Sequence, residues 1–476
     1  MEVIEATFVI IGGGIAGVSC AEQLTFLCPE EKILLISATS MIKRVTNLNM
    51  VSSILTTFDV EEKDAKDFDN EHPNLSVMQG MVKEINSEKF EIYLEDMKSI
   101  VRYKSVILCH GAKPKLLSDE KYIFGIRDTE SVQNFQDNLK GAKKIVIVGN
   151  GGIATEMVHE LKNVEIVWVI KDNSIASTFV DAGAGQFFYD ELFKKTDDKN
   201  SVEPVTKRSR YTAQDLQKQS SNLFGGALGP DWHSGLNVQG SSEHGKKVTI
   251  ETDTEIKDIT EIPSDPSYYK VSVKLTNDKI INCDFVVSAT GVIPNGELIK
   301  IDNLALDDNK AIIVNDQMET NIKGIYAAGD VCSCLSWNHS DLWFQMRLWT
   351  QARQMGHYAG QCVFTAWKNP EDRNELDFCF EVFTHATKFF GYKVILIGRF
   401  NAQGLSVDEY EVLLRVTKGR EYVKVVLKDG KMQGALLIGE TDLEETFENL
   451  ILNQMDLSIY GEDLLDPNID IEDYFD

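Results

Sequence analysis

Residues Thr7–Gly17, TFVIIGGGIAG, place five β-favouring residues directly before Gly12-x-Gly14-x-x-Gly17 and a helix-prone run. Such an apolar run reads as a strand buried on both faces, and the switch to glycine marks a strand-turn-helix. The three glycines act differently, since the first makes a turn that a Cβ blocks, the second lets backbone reach phosphates, and the third lets helix and strand touch. Backbone N–H groups and the dipole at the helix start then face an anion, which makes this stretch a pyrophosphate-binding turn.

The pattern starts again at Lys144–Val148, followed by Gly149-Asn150-Gly151-Gly152-Ile153-Ala154-Thr155-Glu156. Each turn is followed by a second apolar strand, Lys32–Ser37 in the first copy and Val164–Ile170, ending at Lys171 and Asp172, in the second. Much later each copy ends alike: VILCHGAKP (Val106–Pro114) and VVSATGVIP (Val286–Pro294) both carry glycine three residues before proline. The chain therefore holds two copies of one dinucleotide-binding plan. The second copy is longer, and its excess lies in a polar, Gly/Ser-rich insertion at about 194–247, expected to be partly disordered with an ordered patch around Trp232. Lys207–Arg210 within it reads as a solvated turn.

Ile325–Asp330 (IYAAGD) reads as a short buried strand ending in glycine and a carboxylate, and it most simply returns to the first sheet. A helix over Trp343–Gly356 follows, while Glu61–Asn70 reads as a loop or solvated helix. From about Glu371 the pattern changes to strands at Phe378–Phe383, Lys393–Phe400, Glu411–Val416 and Glu421–Leu427, with a hairpin turn at Asp429-Gly430. Thr441-x-x-Glu444 reads as a capping box for a helix over Asp442–Met455. The expected fold is α/β: two Rossmann-like domains, the first discontinuous and the second inserted in it, plus a small C-terminal α+β domain. The expected boundaries are 1–125 with 275–368, then 126–274, then 369–476.

The net charge of −26 disfavours direct nucleic-acid binding, which needs clustered Lys and Arg. Thirteen Asp and Glu and no Lys or Arg lie in Glu440–Asp476, a tail read as solvating. No run of 18 apolar residues exists and no signal-peptide pattern opens the chain, so a soluble, unsecreted protein is expected. The eight cysteines are dispersed, with neither Cys-x-x-Cys nor a zinc-like spacing, and no metal site is expected. Cys20 and Cys109 sit in apolar contexts and are expected in the core.

The two glycine turns, the two strand-Gly-x-x-Pro exits and Thr320-x-x-x-x-Ile325-Tyr326-Ala327-Ala328-Gly329-Asp330, in this order, resemble the pyridine nucleotide-disulphide oxidoreductase superfamily over about Thr7–Gly360. The resemblance implies an FAD domain closed by Gly329 and Asp330, an inserted NAD(P)H domain and a C-terminal interface-type domain. The IGGGIAG start, the GPDWH insert, Met346–Gly356 and the NIDIEDYFD end are similar to a eukaryotic branch of that superfamily. That likeness implies a cytoplasmic and nuclear flavoprotein in oxidative-stress protection and muscle-fibre integrity, with the tRNA ligase complex as a protein partner.

The expected FAD set is Gly12, Gly14, Ile15, Ala16, Gly17, Ser37, Lys43, Arg44, Val82, Gly111, Ala112, Gly329 and Asp330. The expected NAD(P)H set is Gly149, Gly151, Gly152, Ile153, Glu156, Lys171, Asp172, Thr290 and Gly291. Lys171 suits the 2′-phosphate of NADPH and Asp172 the 2′-hydroxyl of NADH, and the sequence leaves both open. Disulphide reductases of the superfamily keep a redox cysteine beside the flavin, yet no cysteine lies between Cys28 and Cys109 or between Cys109 and Cys283. Catalytic candidates are Lys43 and the pair Cys332 and Cys334, expected at a helix start whose dipole would favour thiolate. The expected reaction is NAD(P)H oxidation through flavin to oxygen, a quinone or a protein; the alternative is a low-turnover nucleotide-sensing binding protein.

Overall fold

The structure, a computed structural model, describes residues 2–96, 99–126, 129–193, 206–212, 239–242, 245–262, 269–335, 337 and 339–468. Seven helices are described: α1 (Ile15–Leu27), α2 (Ala65–Glu71), α3 (Thr129–Leu139), α4 (Gly152–Glu160), α5 (Ala182–Leu192), α6 (Trp349–Lys368) and α7 (Glu444–Asn453). The chain divides into two compact units, Met1–Met50 with Thr56–Lys113 and Val292–Glu381, and Val51–Leu55 with Pro114–Gly291 and Val382–Asp476.

The first unit is built on a parallel sheet in the order Ile325–Ala327, Ser105–Leu108, Phe8–Ile11, Ile33–Ser37, Leu75–Gln79. Every residue of Phe8–Ile11 and Ile33–Ser37 is buried, as the continuous apolar runs require of strands covered on both faces. The IYAAGD strand does return to this sheet, with Val106 opposite Ile325. Helix α6 lies directly on α1: a Cβ on Gly356 would stand 2.1 Å from the Ala16 carbonyl oxygen. Cys20 and Cys109 are core residues, 0% and 5% exposed.

Several local expectations fail here. Glu61–Asp64 is strand, the end of a hairpin pairing Met41–Met50 with Thr56–Asp64, and Lys43, Arg44 and Asn47 are strand residues of its other arm. The Asp64 carboxylate accepts from the Lys66 amide at 2.9 Å and so starts α2. Helix α6 begins only at Trp349, because the Gln351 side chain ties up the preceding loop, donating to the Phe344 carbonyl and accepting from the Met346 amide. Phe378–Phe380 forms a single 3-10 turn, capped by the Asp377 carboxylate on the Cys379 amide, in place of a strand.

The second unit contains a parallel sheet in the order Ile123–Gly125, Phe285–Ser288, Lys144–Val148, Glu165–Val169, Lys247–Glu251. Beside it lie a three-stranded antiparallel sheet from Ile256 to Cys283 and a six-stranded antiparallel sheet. The six strands run in the order Thr206–Thr212, Glu411–Thr417, Glu421–Lys428, Lys431–Ile438, Tyr392–Gly398, Thr384–Phe389. The basic run Lys207–Arg210 is therefore an edge strand paired with Val416–Leu413, not a turn. The capping box is not made: Asp442 takes φ 53°, the Glu444 carboxylate pairs with Lys393, and the buried Thr441 hydroxyl finds no partner among the described residues. The expected patch at Trp232 lies outside the described residues.

Candidate functional site

The two glycine turns are the same object built twice. Gly12 has φ 123° and Gly149 has φ 127°, conformations that L side chains avoid. A Cβ on Gly12 would stand 2.2 Å from the Cys109 carbonyl oxygen, and one on Gly149 would stand 2.1 Å from that of Ala289. Each turn is thus pressed against the end of its own exit strand. Gly14 and Gly151, the N-caps of α1 and α4, have no neighbouring atom within 4 Å of where a Cβ would sit, and neither helix has an acid in its first turn. Open space before two uncapped helix starts is where an anionic phosphate fits.

Around the first turn, Ile15, Ala16 and Gly17 are buried at the start of α1. The Ser37 hydroxyl lies 2.6 Å from the position of a Gly13 Cβ, so the serine seats the turn. Gly329, with φ 79°, is as near to Ala16: a Cβ there would lie 2.7 Å from the Ala16 Cβ, which brings Gly329 and the half-buried Asp330 to α1. Gly111 has open space around it, Ala112 is buried beside it, and Val82 is buried in a separate five-stranded sheet of this unit. The Lys43 amide donates to the Gly13 carbonyl at 2.9 Å, while its ammonium faces Glu62 at 3.9 Å. Arg44 is committed elsewhere, between the carboxylates of Glu22 and Glu71 and over the Phe68 ring. Its guanidinium is spent on these groups within the protein.

Around the second turn, Asn150 is the organiser. Its Nδ2 lies 2.8 Å from each of Asp172 Oδ2, the Ser174 carbonyl and Ser177 Oγ, and Ser177 Oγ also donates to Asp172. Its Oδ1 is buried with no partner among the described residues, an orphaned acceptor at the turn. Trp168 Nε1 donates to the Gly149 carbonyl from below at 2.7 Å. Gly152, Ile153 and Glu156 are buried, so Glu156 is not a carboxylate of the solvent face. Asp172 is occupied with Asn150 and Ser177, whereas Lys171 is exposed and makes no ion pair among the described residues. Thr290 donates to the Lys115 carbonyl at 3.0 Å beside Gly291, φ 103°.

One residue was not found from sequence. His110, in the first exit strand, holds the Asn295 carbonyl with Nε2 at 3.1 Å, and Asn295 returns a bond to the His110 carbonyl at 3.0 Å. Burial lowers its pKa to about 4, so the ring is neutral and Nδ1 is a bare acceptor with no partner among the described residues. The available signal was the one titratable side chain directly before Gly111.

The thiol expectation is not met. Cys332–Ser333 is a short strand, not a helix start, and all eight cysteines are free thiols, seven of them buried. Cys332 Sγ lies on the Gly329 carbonyl at 3.2 Å, and burial, with Cys332 beside it, pushes the Cys334 thiol well above its ordinary range. Cys334 is therefore not poised as thiolate. Among the described residues no cluster of metal-ligating side chains occurs, and no helix is long and apolar enough to cross a membrane.

The family described as pyridine nucleotide-disulphide oxidoreductase matches residues 6–215 and 240–356. The chain belongs to this family. It is an FAD- and NAD(P)H-dependent oxidoreductase, and its two open, uncapped glycine turns fit that pair of dinucleotides. Residues 385–455 match the rubredoxin NAD+ reductase C-terminal domain. The human pyridine nucleotide-disulfide oxidoreductase domain-containing protein 1 is 50% identical over 98% of both chains. The fold is shared with a NAD-dependent persulfide reductase from A. fulgidus (TM-score 0.68, 17% identity, covering 98% of this chain and 79% of that one). It is also shared with a structure described as the covalent putidaredoxin reductase-putidaredoxin complex (TM-score 0.67, 15% identity, 99% and 98%).

Proposed function

We propose that this oxidoreductase takes hydride from NAD(P)H and passes the electrons to an acceptor other than a dithiol: oxygen, a quinone or a protein partner. The observation that carries this reading is the burial of Cys109, Cys332 and Cys334, with burial raising the Cys109 and Cys334 thiols well above their ordinary range. FAD, when bound, supplies the electron-accepting ring, and the chain supplies binding and alignment. In this reading 1–125 with 275–368 bind FAD through Gly12, Gly14 and Gly17, and 126–274 bind NAD(P)H through Gly149 and Gly151. Lys171, exposed and without an ion pair among the described residues, favours NADPH, because Asp172 is already used to hold the turn.

A protein acceptor draws support from the rubredoxin reductase-type C-terminal match. Protection against oxidative stress, residence in cytoplasm and nucleus, and service to a tRNA ligase complex belong to the same proposal on the strength of resemblance. The test is rapid mixing of the FAD-loaded protein with NADPH and, separately, NADH, followed by oxygen, a quinone or a small redox protein. Prompt loss of flavin absorbance and fast recovery with one acceptor supports the reading. Reduction with no recovery in any of the three overturns it in favour of a nucleotide-sensing binding protein.

A further inference from the structure

At the end of the first unit's parallel sheet opposite the glycine turn lies a cleft of about 860 Å³. Its lining includes the residues just before four adjacent strands: Gly324 before Ile325–Ala327, Lys104 before Ser105–Leu108, Thr7 before Phe8–Ile11, and Lys32 before Ile33–Ser37. The fold's usual ligands lie beyond the carboxyl ends of the strands. This cleft is at the amino ends, roughly 13 Å away through the length of Phe8–Ile11. It is not the dinucleotide site.

Three observations describe what would fill it. Lys32, Lys104 and Lys323 are exposed on its lining and make no ion pair among the described residues, in a chain whose net charge is −26. Adjacent strands are about 4.8 Å apart, so Lys104 and Lys323 stand on neighbouring strands within reach of one phosphate group. Glu5, Glu319 and Asp372 also line the cleft, but Glu319 already accepts from the Gly324 amide.

Second, Phe90 and Trp367 stay 47% and 40% exposed on the lining. Phe90 also takes φ 55°, a left-handed conformation that is strained for a bulky residue. Third, Tyr103 is 4% exposed, its ring packs edge-on to Phe90 at 5.8 Å, and its buried hydroxyl has no hydrogen-bond partner among the described residues. Burial raises its pKa to about 12, so it is available as a donor. Cations, exposed aromatic faces and an unsatisfied buried donor around one cleft call for a flat, anionic ligand with an acceptor.

We propose that this cleft binds a nucleoside phosphate, its phosphates held by Lys104 and Lys323, its base against Trp367 and Phe90, and an acceptor of the ligand on the Tyr103 hydroxyl. The site is separate from both dinucleotide turns and does not depend on the acceptor chosen for the electrons.

The test is calorimetric titration of ADP into the FAD-loaded full chain held in saturating NADP+, so that both turns are filled. One further ADP site is expected. Lys104→Glu/Lys323→Glu, two exposed positions, should weaken it roughly tenfold or more, as should Trp367→Ala. Tyr103→Phe should weaken it by a few-fold, with flavin content unchanged throughout. Absence of ADP binding under these conditions, binding that ignores the charge reversals, or inorganic pyrophosphate binding as tightly as ADP would each overturn the proposal.

Discussion

The Asn150 side-chain amide lies 2.8 Å from Asp172 Oδ2, so the second glycine turn is held in shape from the end of its own second strand. Removing the amide leaves Asp172 and Ser177 without their shared donor, and buried bonds of this kind are worth about 1 kcal/mol each. Asn150→Ala should raise KM for NADPH and NADH alike by roughly tenfold, leaving flavin content unchanged. Steady-state kinetics with both nucleotides checks this. A KM change for NADH alone in Asp172→Asn would show that Asp172 reads the ribose and not the turn.

Gly12 and Gly14 should respond differently to the same methyl group. Gly12→Ala places a Cβ 2.2 Å from the Cys109 carbonyl oxygen at φ 123°, so little folded protein is expected. Gly14→Ala meets nothing in the protein and should fold with a near-normal Tm but purify with depleted flavin. Gly151→Ala should do the same to NAD(P)H affinity. Melting curves and flavin content separate the two classes.

If the proposed dithiol-free reading holds, Cys332→Ser/Cys334→Ser should keep acceptor turnover within about twofold of the parent protein, although two buried hydroxyls will cost about 1–3 kcal/mol each if left unbonded. Alkylation of the native protein by iodoacetamide should leave both thiols unmodified. A loss of turnover larger than the loss of flavin-loaded protein would falsify the dithiol-free reading.

His110 and His385 give the fold a defined acid sensitivity. Burial lowers both pKa values from 6.5 to about 4, so between those values the unfolded chain binds protons that the folded chain does not. Stability from these groups is complete above about 6.5 and is lost as pH falls towards 4, on the order of 3 kcal/mol per histidine at most. Denaturant unfolding as a function of pH should show this slope, and His110→Asn should reduce it.

In the second unit Asp181 accepts from Lys424, itself 6% exposed, and from the Tyr422 hydroxyl at 2.9 Å. Burial alone would raise the Asp181 carboxyl, but Lys424 outweighs it and holds the group below its ordinary range. Asp181→Ala strands a buried ammonium and should cost about 3–5 kcal/mol, whereas Asp181→Leu/Lys424→Met should cost less. A double-mutant cycle by denaturant melting measures the coupling.

The strands Phe8–Ile11 and Lys144–Val148 and the return of Ile325–Ala327 to the first sheet were legible because each depends on a local apolar run or on glycine. The start of α6, the missing capping box and the Lys207–Arg210 strand were not, because Gln351, Lys393 and the Glu411–Thr417 edge act from elsewhere in the sequence. Arg44 looked ligand-facing for the same reason: Glu22 and Glu71, which claim it, lie 22 residues before it and 27 after it.

The sequence by itself determined the two glycine turns, since a missing Cβ is a property of the residue and permits φ near 125° wherever it occurs. It determined the family as well, through the order of those turns and their exits. Tertiary structure alone decided which polar groups remain available. It joined Asp172 to Asn150, buried Cys332 and Cys334 as free thiols, left His110 Nδ1 and the Tyr103 hydroxyl without partners among the described residues, and collected lysines from three strand starts into one cleft. Availability is what remains after every neighbour has been placed, and neighbours in space are not neighbours in sequence.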